Sequence, residues 1–155
     1  MAATDQLTDR VGTAAIEPLK SVLTAEGTAP RKYSHALWAL YRLNAMNEEI
    51  LKTSIAHSSP LIRVHALRIL REREPGSEIF YPIILNSLKD NDPHVQRAAV
   101  ELLMDHKKMN SVEAALSVLN TAPTTDNHLI YTSRLCLRNL LRDNSLMKLV
   151  VAKEW

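Results

Sequence analysis

Three segments of the chain share one pattern of apolar and polar positions. In SSPLIRVHALRIL and NDPHVQRAAVELL, apolar or small residues follow a proline at two, six, seven, nine and ten positions. A third segment, APRKYSHALWAL, has matching residues at positions six, seven and ten. The prolines of the three copies lie 30 and 33 residues apart along the chain. Apolar residues at these spacings fall on one face of a helix, and a period of this length indicates stacked helical repeats.

Each copy is predicted to be the second helix of a helix pair. Ser59 and Asp92 suit the N-cap position, where a side-chain oxygen accepts a hydrogen bond from a free backbone N–H. Pro60 and Pro93 suit the first helical position, because the residue there needs no N–H. The residue at position six is always small, so a neighbouring helix could approach closely there. These residues are Ala36, Ala66 and Ala99.

The segments between the copies are predicted to form the first helices of the pairs. Asn47, Ser77 and Ser111 are the expected N-caps of first helices, and Asp126 caps the second helix of the fourth pair. The predicted pairs cover residues 5–43, 47–73, 77–107 and 111–142, and part of a fifth pair covers residues 145–155.

Two prolines fall at equivalent places in the predicted first helices. Pro18 and Pro82 precede the second-helix prolines of their pairs by 12 and 11 residues. A proline inside a helix removes a hydrogen bond and bends the helix. The sequence therefore predicts a kink that recurs in the first helices.

The composition agrees with an all-α protein. Of 155 residues, 46% are hydrophobic and 23% are charged, and only three are glycine. The predicted fold class is all-α, an α-solenoid formed as a right-handed superhelix of about four to five antiparallel helix pairs. One domain is expected over residues 1–155, as part of a longer chain. Because the pattern stops within a pair, we expect further repeats or another segment to cover Leu146, Leu149 and Val150.

Charge and motif content argue against several functions. The net charge is +2, without the dense basic patch of a dedicated nucleic-acid binder. The N-terminus has no signal-peptide pattern, and no apolar stretch is long enough to span a membrane. No nucleophile elbow, metalloprotease motif or phosphate-binding loop occurs, so we expect no enzyme activity and no cofactor. Cys136 is predicted to be a buried, inert thiol. His35 and His65 share one repeat position, where a structural role is favoured over a metal bridge.

The chain resembles the HEAT-repeat family. The resemblance rests on a bent first helix, an Asp-Pro or Ser-Pro start, then Val or Ile, then paired small and apolar residues, and DNDPHVQRAAVELL carries it best. It extends over nearly the whole chain. It implies a solenoid architecture, and it leaves the function open because one fold serves many functions.

A narrower resemblance concerns HALWALYRLNAMNEEILKTSIAHSSPLIRVHALRIL and DNHLIYTSRLCLRNLL. These segments are similar to the HEAT region of large exported multidomain proteins of planctomycetes and related bacteria, in which a propeller-like dehydrogenase domain and a c-type haem domain flank the repeats. The resemblance implies a scaffold segment in a periplasmic or exported protein. Otherwise we expect a cytoplasmic location. The haem-attachment motif C-x-x-C-H is absent, so no redox role carries over to this chain.

In HEAT arrays the second helices line the concave face. Positions four, eight and eleven after the proline of each copy point away from the apolar stripe. The predicted wall therefore includes Ser34, Val64 and Met104 beside six candidate partner-binding residues. The alternative is that Trp38 is covered by the N-terminal helix and the arginines are solvated or paired with glutamates. The candidates are Trp38, Tyr41, Arg68, Arg71, Arg97 and Glu101.

The function predicted from these features is a non-catalytic scaffold that binds a protein partner or sister domains of its own chain. Nucleic-acid binding by a HEAT-like domain is the alternative. It is disfavoured because acidic residues alternate with the basic ones, whereas backbone recognition needs an excess of positive charge. The sequence makes no prediction about the oligomeric state.

Overall fold

The computed structural model describes residues 2–154 and the side chains of residues 4–154. The described part of the chain is helical and contains no β-strand, which confirms the all-α prediction. A π-helical turn at Leu7–Val11 and a 3-10 turn at Gly12–Ala15 connect the first two helices. The α-helices are α1 (Ala2–Gln6), α2 (Ile16–Thr24), α3 (Pro30–Arg42), α4 (Glu48–Ile55), α5 (Pro60–Arg73), α6 (Tyr81–Ser87), α7 (Pro93–Leu103), α8 (Met109–Thr121), α9 (Asn127–Leu141) and α10 (Asn144–Ala152).

The helices form two compact units. The N-terminal unit is Met1–Leu70 and the C-terminal unit is Arg71–Trp155, so the boundary falls in the last turn of α5. The single domain, the superhelix and its handedness therefore stay predictions.

Helix starts agree with the sequence prediction where a proline or an Asp or Asn cap specifies them. Helices α3, α5 and α7 begin at Pro30, Pro60 and Pro93. The Asp92 carboxylate accepts from the His94 N–H at 2.8 Å, and Asp126 accepts from the Leu129 N–H at 2.9 Å. Asn47 likewise accepts from the Ile50 N–H at 2.8 Å and caps α4.

Two predicted caps are wrong. Helix α6 begins at Tyr81, and the carbonyl of Ser77 accepts the Phe80 N–H in a preceding turn. Helix α8 begins at Met109, so Ser111 lies inside its first turn and is fully buried. The Ser111 hydroxyl is 3.0 Å from the Tyr81 hydroxyl. Because the Ser111 side chain makes this contact in the core, it does not cap the helix.

The predicted recurrent kink is also wrong. Pro18 is the third residue of α2, and Pro82 is the second residue of α6. The backbone N–H groups of a first helical turn have no partner within the helix, so a proline there removes no intrahelical hydrogen bond. Both prolines mark helix starts.

The core of the N-terminal unit is built around α3. This helix packs against α2 and the N-terminal segment, and it buries Leu37, Ala39 and Leu40. The position-six residues Ala36 and Ala66 are buried as predicted, at 3% and 0% exposure. Thr4 also lies near α3, with its hydroxyl 3.4 Å from Nδ1 of His35.

In the C-terminal unit, helix pairs follow one another in chain order. Helix α6 packs against α7, α7 packs against both α8 and α9, and α9 packs against α8 and α10. Ala99, the position-six residue of α7, has no exposed surface. Cys136 is buried on α9. These contacts bury the apolar faces of neighbouring helices against one another.

The apolar surface of helix α10 is only partly buried. Leu146 is buried, whereas Leu149 and Val151 are 60% and 71% exposed. Of the three residues expected to need a cover, Leu146 is therefore buried by this chain and Leu149 is not.

Candidate interaction site

A half-exposed aromatic cluster lies on α3 and α5 of the N-terminal unit. The indole N–H of Trp38 donates a hydrogen bond to Nδ1 of His65 at 3.0 Å. The Trp38 ring meets the Tyr41 ring edge to face, with centroids 5.9 Å apart and planes at 77°. The imidazole of His65 is also edge-on to Trp38, at 6.3 Å and 85°. Such edge-to-face contacts fix ring orientations.

The hydrogen bond to Trp38 sets the protonation state of His65. Because an indole can only donate, Nδ1 must accept, and the neutral ring then carries its proton on Nε2. Burial, followed by the positive charge of Arg68 and then of His35, lowers the pKa of His65 below its ordinary value. The electrostatics and the hydrogen bond therefore favour the same neutral form.

Arg68 is the exposed cation of this cluster. Its side chain has no carboxylate partner within the described residues, and its charge acts on the nearby His65. We call Trp38, Tyr41, His65 and Arg68 the Trp38 patch. Trp38, Tyr41 and His65 are half-buried, so their outer edges reach solvent beside the guanidinium.

The sequence does not reveal His65 as a site residue, because nothing in its pattern pairs this residue with Trp38. His65 is at position five of its copy, and Trp38 is at position eight of the preceding copy. These two residues come into contact only when α5 lies beside α3. His35, the repeat counterpart of His65, is exposed and contacts Thr4. The described residues hold no group of three His, Cys, Asp or Glu side chains arranged to bind a metal.

The C-terminal unit contains the other three candidates. Arg71 Nη1 lies 3.5 Å from Glu101 Oε2, and Arg71 Nε lies 3.7 Å from Asp105 Oδ2. The alternative prediction of an arginine paired with Glu101 is therefore confirmed for Arg71. Arg97 is half-buried, and its Nη2 lies 2.9 Å from Nδ1 of His94.

The predicted wall is wrong for three of its residues. Ser34 and Val64, at position four, are buried to 5% and 7% exposure, and Met104, at position eleven, is buried to 9%. The Ser34 hydroxyl donates to the Pro30 carbonyl at 2.9 Å. These helices are covered on more than one side, so the buried face is wider than a single stripe.

A buried histidine without hydrogen bonds lies in the C-terminal unit. His106 is 2% exposed, and neither of its ring nitrogens has a hydrogen-bond partner in the described part of the chain. Its ring lies 4.8 Å from that of Tyr81, and its Nδ1 is 3.8 Å from Glu78 Oε1. Glu78 is itself held by Lys108. Burial is the largest cause that lowers the pKa of His106.

The lone cysteine has the properties of an inert core residue. Burial, assisted by the negative charge of Asp105, raises the pKa of the Cys136 thiol to about 12. A thiol with such a pKa carries almost no thiolate at neutral pH, and the thiolate is the reactive form. The prediction of a buried Cys136 is confirmed.

Comparisons with family models, with curated proteins and with solved structures find no match. Among residues 2–154, no helix combines the length and apolar character needed to cross a bilayer.

Proposed function

We propose that this chain is a non-catalytic scaffold of stacked HEAT-like helix pairs that binds a protein partner or another domain of its own chain. The observation that carries the proposal is the Trp38 patch. It presents two aromatic rings beside an unpaired guanidinium on adjacent helices.

The residue types of the patch are those that dominate protein interfaces. Tryptophan, tyrosine and arginine are enriched among residues whose truncation costs about 2 kcal/mol or more of binding energy. The ring of Trp38 is held by His65 and Tyr41 before any partner arrives. A side chain that is already ordered loses less entropy on binding, so the patch is suited to act as an anchor.

The charges favour a protein over a nucleic acid. A nucleic-acid surface needs several cations free to face phosphates. Arg71 lies beside Glu101 and Asp105, and Arg73 Nε lies 3.1 Å from Glu74. Because these carboxylates offset the nearby guanidinium charges, we propose no nucleic-acid function.

The experiment is affinity capture from an extract of the natural host with matched variants. Arg68→Ala and Tyr41→Ala remove parts of the patch, whereas Arg134→Ala removes an exposed arginine of α9 as a control. We expect at least one protein to be enriched by the wild type and the control but not by the two patch variants. Identical capture by all four proteins would refute the Trp38 patch. Captured nucleic acid that persists at physiological salt would favour the alternative.

A further inference from the structure

A second candidate site lies in the N-terminal unit and shares no residue with the Trp38 patch. A cavity of about 500 Å³ lies between the loop that follows α2 and the loop that precedes α5. A second cavity of about 300 Å³ lies between α2 and α4. Leu23 and Tyr33 line both cavities, which therefore lie side by side, and we call the two together the Leu23–Tyr33 groove.

Side-chain contacts hold the floor of the groove in place. Tyr33 is 4% exposed, its hydroxyl lies 3.2 Å from that of Ser54, and its ring lies 5.1 Å from that of His57. The Nδ1 atom of His57 accepts the Ser59 N–H at 3.0 Å, so this loop is tied to its own histidine. The guanidinium of Arg63 donates to the carbonyls of His57 and Ser58, each at 2.8 Å.

The opposite loop is held as well. The Thr28 hydroxyl is 3.0 Å from both the Val22 and the Ala25 carbonyl oxygens. Gly27 has φ of +70°, a conformation that side-chain-bearing residues rarely adopt. Because both loops are held by internal contacts, the groove exists before any ligand binds. Binding therefore requires little further loss of conformational entropy in these loops.

The charges along the groove select the ligand. Glu26 lines the larger cavity and Glu49 the smaller one, and neither carboxylate has an ion-pair or hydrogen-bond partner among residues 2–154. Lys20 is the cation of the smaller cavity, and Glu17 holds it at 2.8 Å. The groove therefore combines an apolar floor with two carboxylates that lack cations.

We propose that the Leu23–Tyr33 groove binds an extended peptide segment of another protein, in which basic residues flank an apolar one. The apolar side chain lies against Leu23 and Tyr33, and the basic side chains face Glu26 and Glu49. A peptide fits better than a compact small molecule because two open cavities lie side by side on one floor. The volumes are within the range of ligand pockets, at roughly 300–1,000 Å³.

The test is an NMR titration of the whole chain with capped pentapeptides. The probe peptide has arginine at both ends and leucine at its centre. One comparison peptide replaces the arginines by glutamate, and another replaces the leucine by serine. We expect saturable shifts of Leu23, Tyr33 and Thr53 resonances with the probe, and binding at least about fivefold weaker with either comparison peptide.

Variants locate the binding. Combined Glu26→Gln and Glu49→Gln should weaken the probe about five- to tenfold, whereas Glu72→Gln, at an exposed carboxylate outside the groove, should not. Thr53 is exposed and lines the smaller cavity, so Thr53→Trp should block it while Thr53→Ala should not. Circular dichroism spectra that match the wild type establish that the variants are folded.

Several results would overturn the proposal. They are the absence of saturable shifts in the groove, equal binding of the glutamate peptide, and probe affinity unchanged by Thr53→Trp. Free arginine that binds as tightly as the probe would make the groove a small-cation pocket. Dimerisation that Thr53→Trp abolishes would assign it to a second copy of this chain. None of these results bears on the Trp38 patch, because Arg68 and Tyr41 do not line the groove.

Discussion

Trp38 and His65 are joined by a 3.0 Å hydrogen bond between residues 27 positions apart in the chain. The bond exists only while Nδ1 of His65 is unprotonated, because a protonated imidazole has no acceptor. It therefore couples the orientation of the largest aromatic ring of the Trp38 patch to pH, in a range set by the lowered pKa of His65.

The first prediction concerns this coupling. In a Trp155→Phe background, we expect Trp38 fluorescence to change as pH falls, with a midpoint below 6.5, the usual histidine pKa. Arg68→Ala removes a positive charge that lowers the pKa of His65, so it should move the midpoint upward. His65→Phe should abolish the transition. A midpoint unaffected by either substitution would refute the assignment.

The second prediction concerns His106 and stability. Its pKa is lower in the folded chain than in the unfolded chain, so the unfolded state binds more protons between the two values. The contribution of His106 to the free energy of unfolding is complete above pH ~6.5 and declines as pH falls below it. Urea unfolding of His106→Phe should therefore show a shallower loss of stability between neutral and mildly acidic pH.

The control for His106 is an exposed histidine. His128 lies on the surface at the start of α9, so His128→Phe makes the same substitution outside the core and serves as the matched control. His65 has a pKa lowered in the same direction, so some pH dependence should remain in the His106 variant. An unaltered slope in His106→Phe would contradict the prediction.

The third prediction compares two buried hydroxyl pairs. In the first pair, the Tyr33 hydroxyl lies beside that of Ser54. Ser54 also donates to the Ile50 carbonyl at 2.7 Å, so the Ser54 hydroxyl keeps a hydrogen bond in Tyr33→Phe. Tyr81→Phe takes the hydroxyl partner from the fully buried Ser111. We expect losses of about 1 kcal/mol for Tyr33→Phe and about 1–3 kcal/mol for Tyr81→Phe.

Chemical denaturation of each tyrosine variant measures these losses. The double variant Tyr81→Phe, Ser111→Ala is the control, because it removes both partners and should recover part of the loss. Equal destabilisation by Tyr33→Phe and Tyr81→Phe would show that the hydrogen bond from Ser54 to the Ile50 carbonyl does not reduce the loss of stability.

The fourth prediction concerns the small residues at position six of the repeat. Ala66 and Ala99 have no exposed surface, so Ala66→Leu or Ala99→Leu must displace neighbouring side chains. Each should lower the free energy of unfolding by about 1–3 kcal/mol. Thermal or urea unfolding measures these losses. Ala56→Leu, at an exposed alanine, should have a much smaller effect in that assay. Tolerance of both core substitutions would contradict the need for a small residue there.

Helix starts were predictable from the sequence where the signal is local. A proline at the first helical position and an Asp or Asn cap act on backbone groups within one turn, as Asp92, Asp126 and Asn47 show. The same local signal failed at Ser111, where a tyrosine of another helix competes for the hydroxyl. Pro82 was placed in the right helix, but the start predicted for that helix from a Ser77 cap was too early.

The candidate site was predictable in part. Helical periodicity identified Trp38, Tyr41 and Arg68 as residues that face away from the apolar stripe. It could not show that His65 accepts a bond from Trp38, nor that Arg71 is held by Glu101 and Asp105. Position four was misplaced because periodicity describes one helix at a time, whereas burial depends on every neighbour.

The sequence by itself determined the all-α class, the repeated pattern and most helix boundaries, because these follow from interactions among residues close in the chain. Only the tertiary structure decided which polar groups pair, that Arg68 lacks a carboxylate partner among the described residues, and where the Leu23–Tyr33 groove opens. Those properties arise from helices brought together by burial of their apolar faces. The hydrophobic effect that drives this packing is not directional, and it does not specify in advance which polar side chains will meet.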